Sequence, residues 1–184
     1  MKQKILVKRI NPSLELPKII KKGDWIDLRC SETTRFKAPQ SGTLKSRNVN
    51  GEQEKYRNVT FDIKLIPLGV AMQLPDGMEA IVTSRSSTPI GMGISCINSI
   101  GIIDSNAEGL GYNGPNDEWK YPAIAWRDTI ITEGERICQF RVQLSQKAKF
   151  WHKLKWFFSN GIKIVEVQEL NNANRGGIGA TGKV

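Results

Sequence analysis

The chain has 184 residues, room for one domain with insertions. Its 39% hydrophobic and 24% charged residues exclude wholesale disorder, and no apolar run approaches the ~20 residues that span a bilayer. Twenty-seven Lys and Arg against 18 Asp and Glu leave a net charge of +9, which could favour nucleic acid or an acidic surface, but its spread along the chain counts against that reading. Charges interrupt residues 1–9 too often for a secretory signal, so a soluble, cytoplasmic protein is expected.

Short β-branched or aromatic runs predict strands at 5–7, 25–28, 59–68, 78–82 and 121–126. Cys138, Phe140, Val142 and Leu144 alternate with Gln139, Arg141 and Gln143, the period of a half-buried strand. Residues 162–170 read as another strand, and a flip in alternation at Ile164 and Val165 suggests a bulge. Turn clusters such as Pro75-Asp76-Gly77 and Glu133-Gly134-Glu135 separate these runs, which together indicate an all-β sandwich or barrel.

Three stretches depart from that pattern. Residues 34–60 are polar and read as an extended loop or inserted hairpin. Within 147–158, Phe150, Trp151, Leu154, Phe157 and Phe158 fall on one helical face. That spacing predicts a short helix packed on the barrel by this face, or one that meets a membrane surface or a partner. Residues 171–184 are too Gly-rich to hold a structure alone and read as a mobile tail.

Some chemistries are excluded early. Cys30, Cys96 and Cys138 form no Cys-x-x-Cys pair and read as small buried side chains, with a nucleophile as the alternative. The single histidine, His152, rules out a His-cluster metal site and sits in a Lys/Trp/Phe-rich stretch unlike a catalytic triad. Carboxylates, backbone donors and a metal-bound substrate must then carry any chemistry. Arg85-Ser86-Ser87 at a strand end offers a guanidinium fork and short donors to an anion. Asp104 ends an apolar run and could take a proton from water. Arg175-Gly176-Gly177-Ile178-Gly179 could turn backbone N–H groups toward phosphate, although it is not a Walker A loop.

In order, Gly23-Asp24-Trp25-Ile26-Asp27-Leu28, Arg85-Ser86-Ser87, Gly101-Ile102-Ile103-Asp104 with Tyr112-Asn113-Gly114, Gly134-Glu135-Arg136-Ile137-Cys138-Gln139 and the Gly-rich tail through Thr181 and Gly182 resemble the five motifs of the trimeric dUTPase family. Asn116-Asp117-Glu118-Trp119 is similar to its prophage branch. The resemblance implies a jelly-roll-like homotrimer with sites at subunit interfaces. It also implies Mg²⁺-dependent hydrolysis of dUTP to dUMP and pyrophosphate, which limits uracil in DNA and supplies dUMP.

Carried over by position, Asp104 would be the base that activates water. Asn98 and the backbone of Gly101 and Ile103 would pair with uracil, and Tyr112 would pack under the deoxyribose. Arg85, Ser86, Ser87 and Gln139 would hold the α- and β-phosphates. Arg175, Gly177 and Thr181 would grip the γ-phosphate as the tail closes. Asp27 would order water around Mg²⁺ held mainly by substrate phosphates. Seven residues separate Asp104 from Tyr112 where the family usually has two, so an ungapped alignment would place Ala107 at the tyrosine position. Ile178 stands where a base-stacking Phe is common; Tyr121 could stack instead, or begin a buried strand.

The implied organisation is a barrel over 1–170, insertions near 34–60 and 145–161 that could bind a protein partner, and a tail over 171–184. The nearest enzyme alternative, dCTP deaminase, shares the fold but needs a glutamate in the strand after the third motif, and 121–126 hold none. A regulatory, partner-binding relative is the alternative of a different class.

Overall fold

The computed structural model describes residues 2–20, 23–104 and 111–176. The strands are β1 (Gln3–Arg9), β2 (Ile26–Arg29), β3 (Thr34–Phe36), β4 (Gln40–Val49), β5 (Glu52–Thr60), β6 (Ile63–Gln73), β7 (Met78–Ser84), β8 (Ile94–Cys96), β9 (Ile100–Asp104), β10 (Glu118–Ala125), β11 (Thr129–Ile131), β12 (Arg136–Leu144) and β13 (Ile162–Glu166). One helix, α1 (Phe150–Phe157), lies between β12 and β13, and a π-helical turn spans Thr88–Met92. The all-β expectation, with one short helix, is met.

A five-stranded sheet, in the order β13-β1-β6-β10-β8, faces a four-stranded sheet, β2-β12-β7-β9. The sequence period explains why they pack. In β10, Trp119, Tyr121, Ala123 and Ala125 all point inward and are fully buried. From the other sheet, Ile26, Leu28, Ala80, Val82 and Phe140 face them. Trp119 meets Phe140 edge-to-face across the sandwich, 5.3 Å between ring centroids. A register shift between Arg136 and Cys138 lets consecutive Ile137 and Cys138 both be buried.

Several expectations need correction. The run 59–68 is not one strand: β5 ends at Thr60, and Asp62, whose carboxylate accepts the Lys37 N–H at 3.0 Å, turns the chain into β6. β13 carries no bulge and stops at Glu166; it pairs in parallel with β1 in unbroken register. As a half-buried edge strand it does not need strict alternation. Within 34–60, only β4 and β5 form the hairpin, while β3 pairs with β11 and buries Phe36. Asn50 and Gly51 both have positive φ, as a tight two-residue turn requires.

The helix is where expected, but it does not pack on the barrel by its aromatic face. Phe150, Trp151, Phe157 and Phe158 are 65%, 70%, 79% and 71% exposed. His152 and Trp156, a turn apart on the opposite face, meet the body instead. The His152 ring lies over Gly77, where a β-carbon would come within 2.3 Å of it, so a missing side chain in one element admits a large one from the other.

Candidate active site

The sheet register builds the first half of the site. Gln139 of β12 stands opposite Asp27 of β2 on one side and Thr83 of β7 on the other. Arg85 follows β7 directly and turns back over the sheet end, where its Nε donates to Asp27 Oδ1 at 2.8 Å. Arg136 Nη1 donates to Asp27 Oδ2 at 3.0 Å, so one carboxylate aligns two guanidinium groups. Gln139 Nε2 donates to the Ser84 carbonyl at 3.4 Å. Ser86 and Ser87 are exposed at the start of the π-helical turn, whose buried Thr88 is tied to the Ile137 carbonyl at 2.8 Å. The result is an open cleft of about 210 Å³ lined by Trp25, Asp27, Arg85, Ser86, Arg136 and Gln139.

Two cations, a hydroxyl and an amide around the Asp27 anchor, with the exposed Asp24 also in the lining, suit a polyanionic oxygen cluster. Among the described residues, no three His, Cys, Asp or Glu side chains gather as a metal cage. Both oxygens of Asp27 are engaged by arginines. This donor set fits Mg²⁺, which keeps its waters and is held mostly by substrate phosphates.

The second half lies elsewhere. Asp104 pairs with Glu79 at the other end of β7, while Gln139 pairs with Thr83. At roughly 3.4 Å per residue, that offset is about 14 Å along the strand. Asp104 therefore does not meet Arg85, Ser86 or Gln139 within one chain. Its partner is Arg175, whose Nη1 lies 3.0 Å from Asp104 Oδ2. Between the two ends runs β9, an edge strand. Its outer backbone groups face no other strand among the described residues. Gly101 and Ile103 are half-buried on it, and Asn98 sits exposed in the turn that leads into it. That turn carries Ser99 at φ +61°, and its carbonyl accepts the Thr83 hydroxyl at 3.2 Å.

Tyr112 is half-buried against the core, and its hydroxyl donates to the Glu118 carbonyl at 2.6 Å. Burial, then the nearby Asp117 and Glu118 charges, pushes its phenol above the usual range. Tyr121 cannot stack on a base: it is fully buried, with its hydroxyl 2.6 Å from Ser84 Oγ. Burial pushes the thiols of Cys30, Cys96 and Cys138 up, which suits small buried side chains better than nucleophiles. The strand after the third motif starts at Glu118, earlier than expected, so it does contain a glutamate. That carboxylate accepts the Gly69 N–H at 2.8 Å and is spent on the fold.

The first residues of the tail are tied to the body. Residues 172–176 are held against 113–117, and Arg175 is placed by that contact. Gly177, Thr181, Ile178 and Ala107 lie outside the described residues. Two residues acquire importance that motif reading missed. Arg136 could have been found as the one basic residue of the Gly134-Glu135-Arg136-Ile137-Cys138-Gln139 segment, but Asp117 carried no signal beyond the segment Asn116-Asp117-Glu118-Trp119.

No family model matches the chain. Over 163 residues it is 39% identical to an SPbeta prophage-derived deoxyuridine 5'-triphosphate nucleotidohydrolase of Bacillus subtilis, covering 89% of this chain and 87% of that one. Among solved structures it is similar to the dUTPase of Streptococcus mutans, with 25% identity, a TM-score of 0.52 and coverage of 70% and 84%. A dUTPase variant from Staphylococcus aureus phage phi11, described with a structural Mg(II) ion, shares the fold, with 14% identity, a TM-score of 0.56 and coverage of 79% and 94%. With the ordered motifs and the sandwich already in place, the identity to the prophage enzyme shows that the chain belongs to the deoxyuridine 5'-triphosphate nucleotidohydrolase family.

Proposed function

We propose that the protein hydrolyses dUTP to dUMP and pyrophosphate as a homotrimer, with each site shared between subunits. The supporting observation is the division of the motif residues. Arg85, Ser86 and Gln139 share one cleft with Asp27, while Asp104 and Arg175 stand together about 14 Å along the same sheet. A second copy that brings its Asp104 to the first copy's cleft completes the set.

In this reading, Asp104 accepts a proton from water as the water oxygen bonds to the α-phosphorus. The bond from that phosphorus to the bridging oxygen breaks, and pyrophosphate leaves with the electron pair. Positioning and charge neutralisation supply most of the rate in such an in-line displacement. Arg85, Ser86, Ser87 and Gln139 hold the α- and β-phosphates, with Arg136 adding charge. Arg175, Gly177 and Thr181 hold the γ-phosphate. The open edge of β9 at Gly101 and Ile103, with Asn98, pairs with uracil, and a wrong base edge leaves those groups unpaired. Tyr112 excludes a 2′-hydroxyl. Bound Mg²⁺ supplies charge neutralisation on the phosphates, and Asp27 orders water around it. The substrate pool places this work in the cytoplasm, and among the described residues no helix is long and apolar enough to cross a membrane.

The test is pyrophosphate release from dUTP, UTP, dTTP and dCTP, each with and without Mg²⁺. Release from dUTP alone, dependent on Mg²⁺, is expected. Ammonia from dCTP would point to the deaminase instead, and no reaction to a partner-binding relative. One observation favours a second role: the three exposed aromatics of α1, with Phe158 just after it, offer a protein partner a surface. If deleting 147–158 leaves assembly, turnover and co-purifying partners unchanged, that role falls.

A further inference from the structure

Asp117 is 2% exposed, and among the described residues no Lys or Arg side chain pairs with it. Its carboxylate is spent on backbone instead. Oδ2 accepts the N–H of Gly114 at 2.9 Å and of Arg175 at 2.9 Å, and Oδ1 accepts the N–H of Gly176 at 3.1 Å. Two of these donors belong to the tail, nearly sixty residues away in sequence.

The same loop grips the tail in other ways. Asn174 Oδ1 accepts the Asn116 N–H at 2.8 Å, and Asn172 Nδ2 donates to the Asn113 carbonyl at 3.4 Å. At Gly114 a β-carbon would lie 2.5 Å from Asn174 Oδ1 and 2.6 Å from its Cα, so the two backbones touch only because this residue is glycine. The Arg175 guanidinium, carried by this clasp, stands 3.0 Å from Asp104.

We propose that Asp117 is a positioning residue that anchors the root of the tail and thereby delivers Arg175 to the site. The inference rests on the reading of Arg175 as a substrate-gripping residue. A buried carboxylate that accepts backbone N–H groups makes strong, charge-assisted bonds that no side-chain change in the tail, short of proline, removes. With the root fixed, the ordering cost of placing Arg175 is met during folding and not at each substrate encounter. In Asp117→Asn the amide retains one acceptor oxygen and turns an NH₂ toward N–H donors, which opens the clasp.

The experiment is a double-mutant cycle in the full chain, read as kcat/KM and KM for dUTP, with Asp117→Asn, Arg175→Ala and the pair. Asp117→Asn alone is expected to lower kcat/KM at least tenfold, chiefly through KM. In the Arg175→Ala background its penalty should shrink at least fivefold. An equal penalty in both backgrounds overturns the proposal, because Asp117 would then act through the fold and not through Arg175. An unchanged kcat/KM in the single variant overturns it as well. A second variant, Gly114→Ala, pushes the root away by volume without touching the carboxylate and should reproduce the KM effect. Limited trypsinolysis at Arg175 keeps the clasp testable even if dUTP is not the substrate. Cleavage should be at least tenfold faster in Asp117→Asn at matched thermal midpoint, and equal rates overturn the clasp.

Discussion

The two ends of the four-stranded sheet are built by different means. At one end, Asp27, Gln139 and Arg85 are set by neighbouring strands in register, so each hydrogen-bonded ladder fixes the next residue. At the other end, Asp104 closes an edge strand, and its partner Arg175 arrives from a tail root held by a distant loop. The first end is preorganised by the sheet itself. The second depends on contacts between segments that share no ladder, and its geometry can be lost without unfolding the sandwich.

That contrast can be broken, starting with the largest effect. Asp104→Asn should lower turnover by about 10²- to 10⁴-fold, the usual contribution of a positioned base, with little change in affinity for a non-hydrolysable dUTP analogue measured by calorimetry. Near-normal kcat would remove Asp104 from the base role. Arg85→Ala should weaken substrate binding by about 10- to 100-fold through loss of a charge-assisted contact, seen in KM. Co-assembling those two variants probes the distance between the ends. If the site is shared, mixed assemblies regain part of the activity that each variant lacks; no recovery would mean that one chain supplies both halves.

Smaller effects separate the ends further. Arg175→Ala should cut kcat/KM while moving stability by less than about 1 kcal/mol in thermal denaturation, because its partner Asp104 is 56% exposed and solvent screens the pair. Replacing residues 40–60 by a short Gly-Ser linker should leave kcat/KM within about twofold, since among the described residues neither strand of the hairpin pairs with the body. A large loss there would place the hairpin in the site.

Much of the strand-built end was legible in the motifs, because Asp27 and Gln139 are side chains with readable chemistry within strands, and Arg85 stands just past a strand end. The register that places them opposite one another was not, since pairing between residues more than fifty positions apart leaves no local trace. The clasp was less legible still. Its bonds run from a side chain to backbone N–H groups, which every residue but proline carries, so the tail sequence does not announce them. The orientation of α1 is left open by the sequence for a related reason. The apolar periodicity identified the helix, but the match of His152 to Gly77 chose the face that packs.

By itself, the sequence determined the all-β class, most of the strands, the short helix and the ordered motifs that name the candidate site residues. These follow from periodicity, turn residues and side-chain type, all of which are local. Tertiary structure alone decided that Tyr121 belongs to the core, that Glu118 is bound to Gly69, that Asp117 holds the tail, and that Asp104 stands apart from the arginine cleft. Those outcomes depend on which distant segments meet, and burial and hydrogen bonding settle that only when the whole chain is packed.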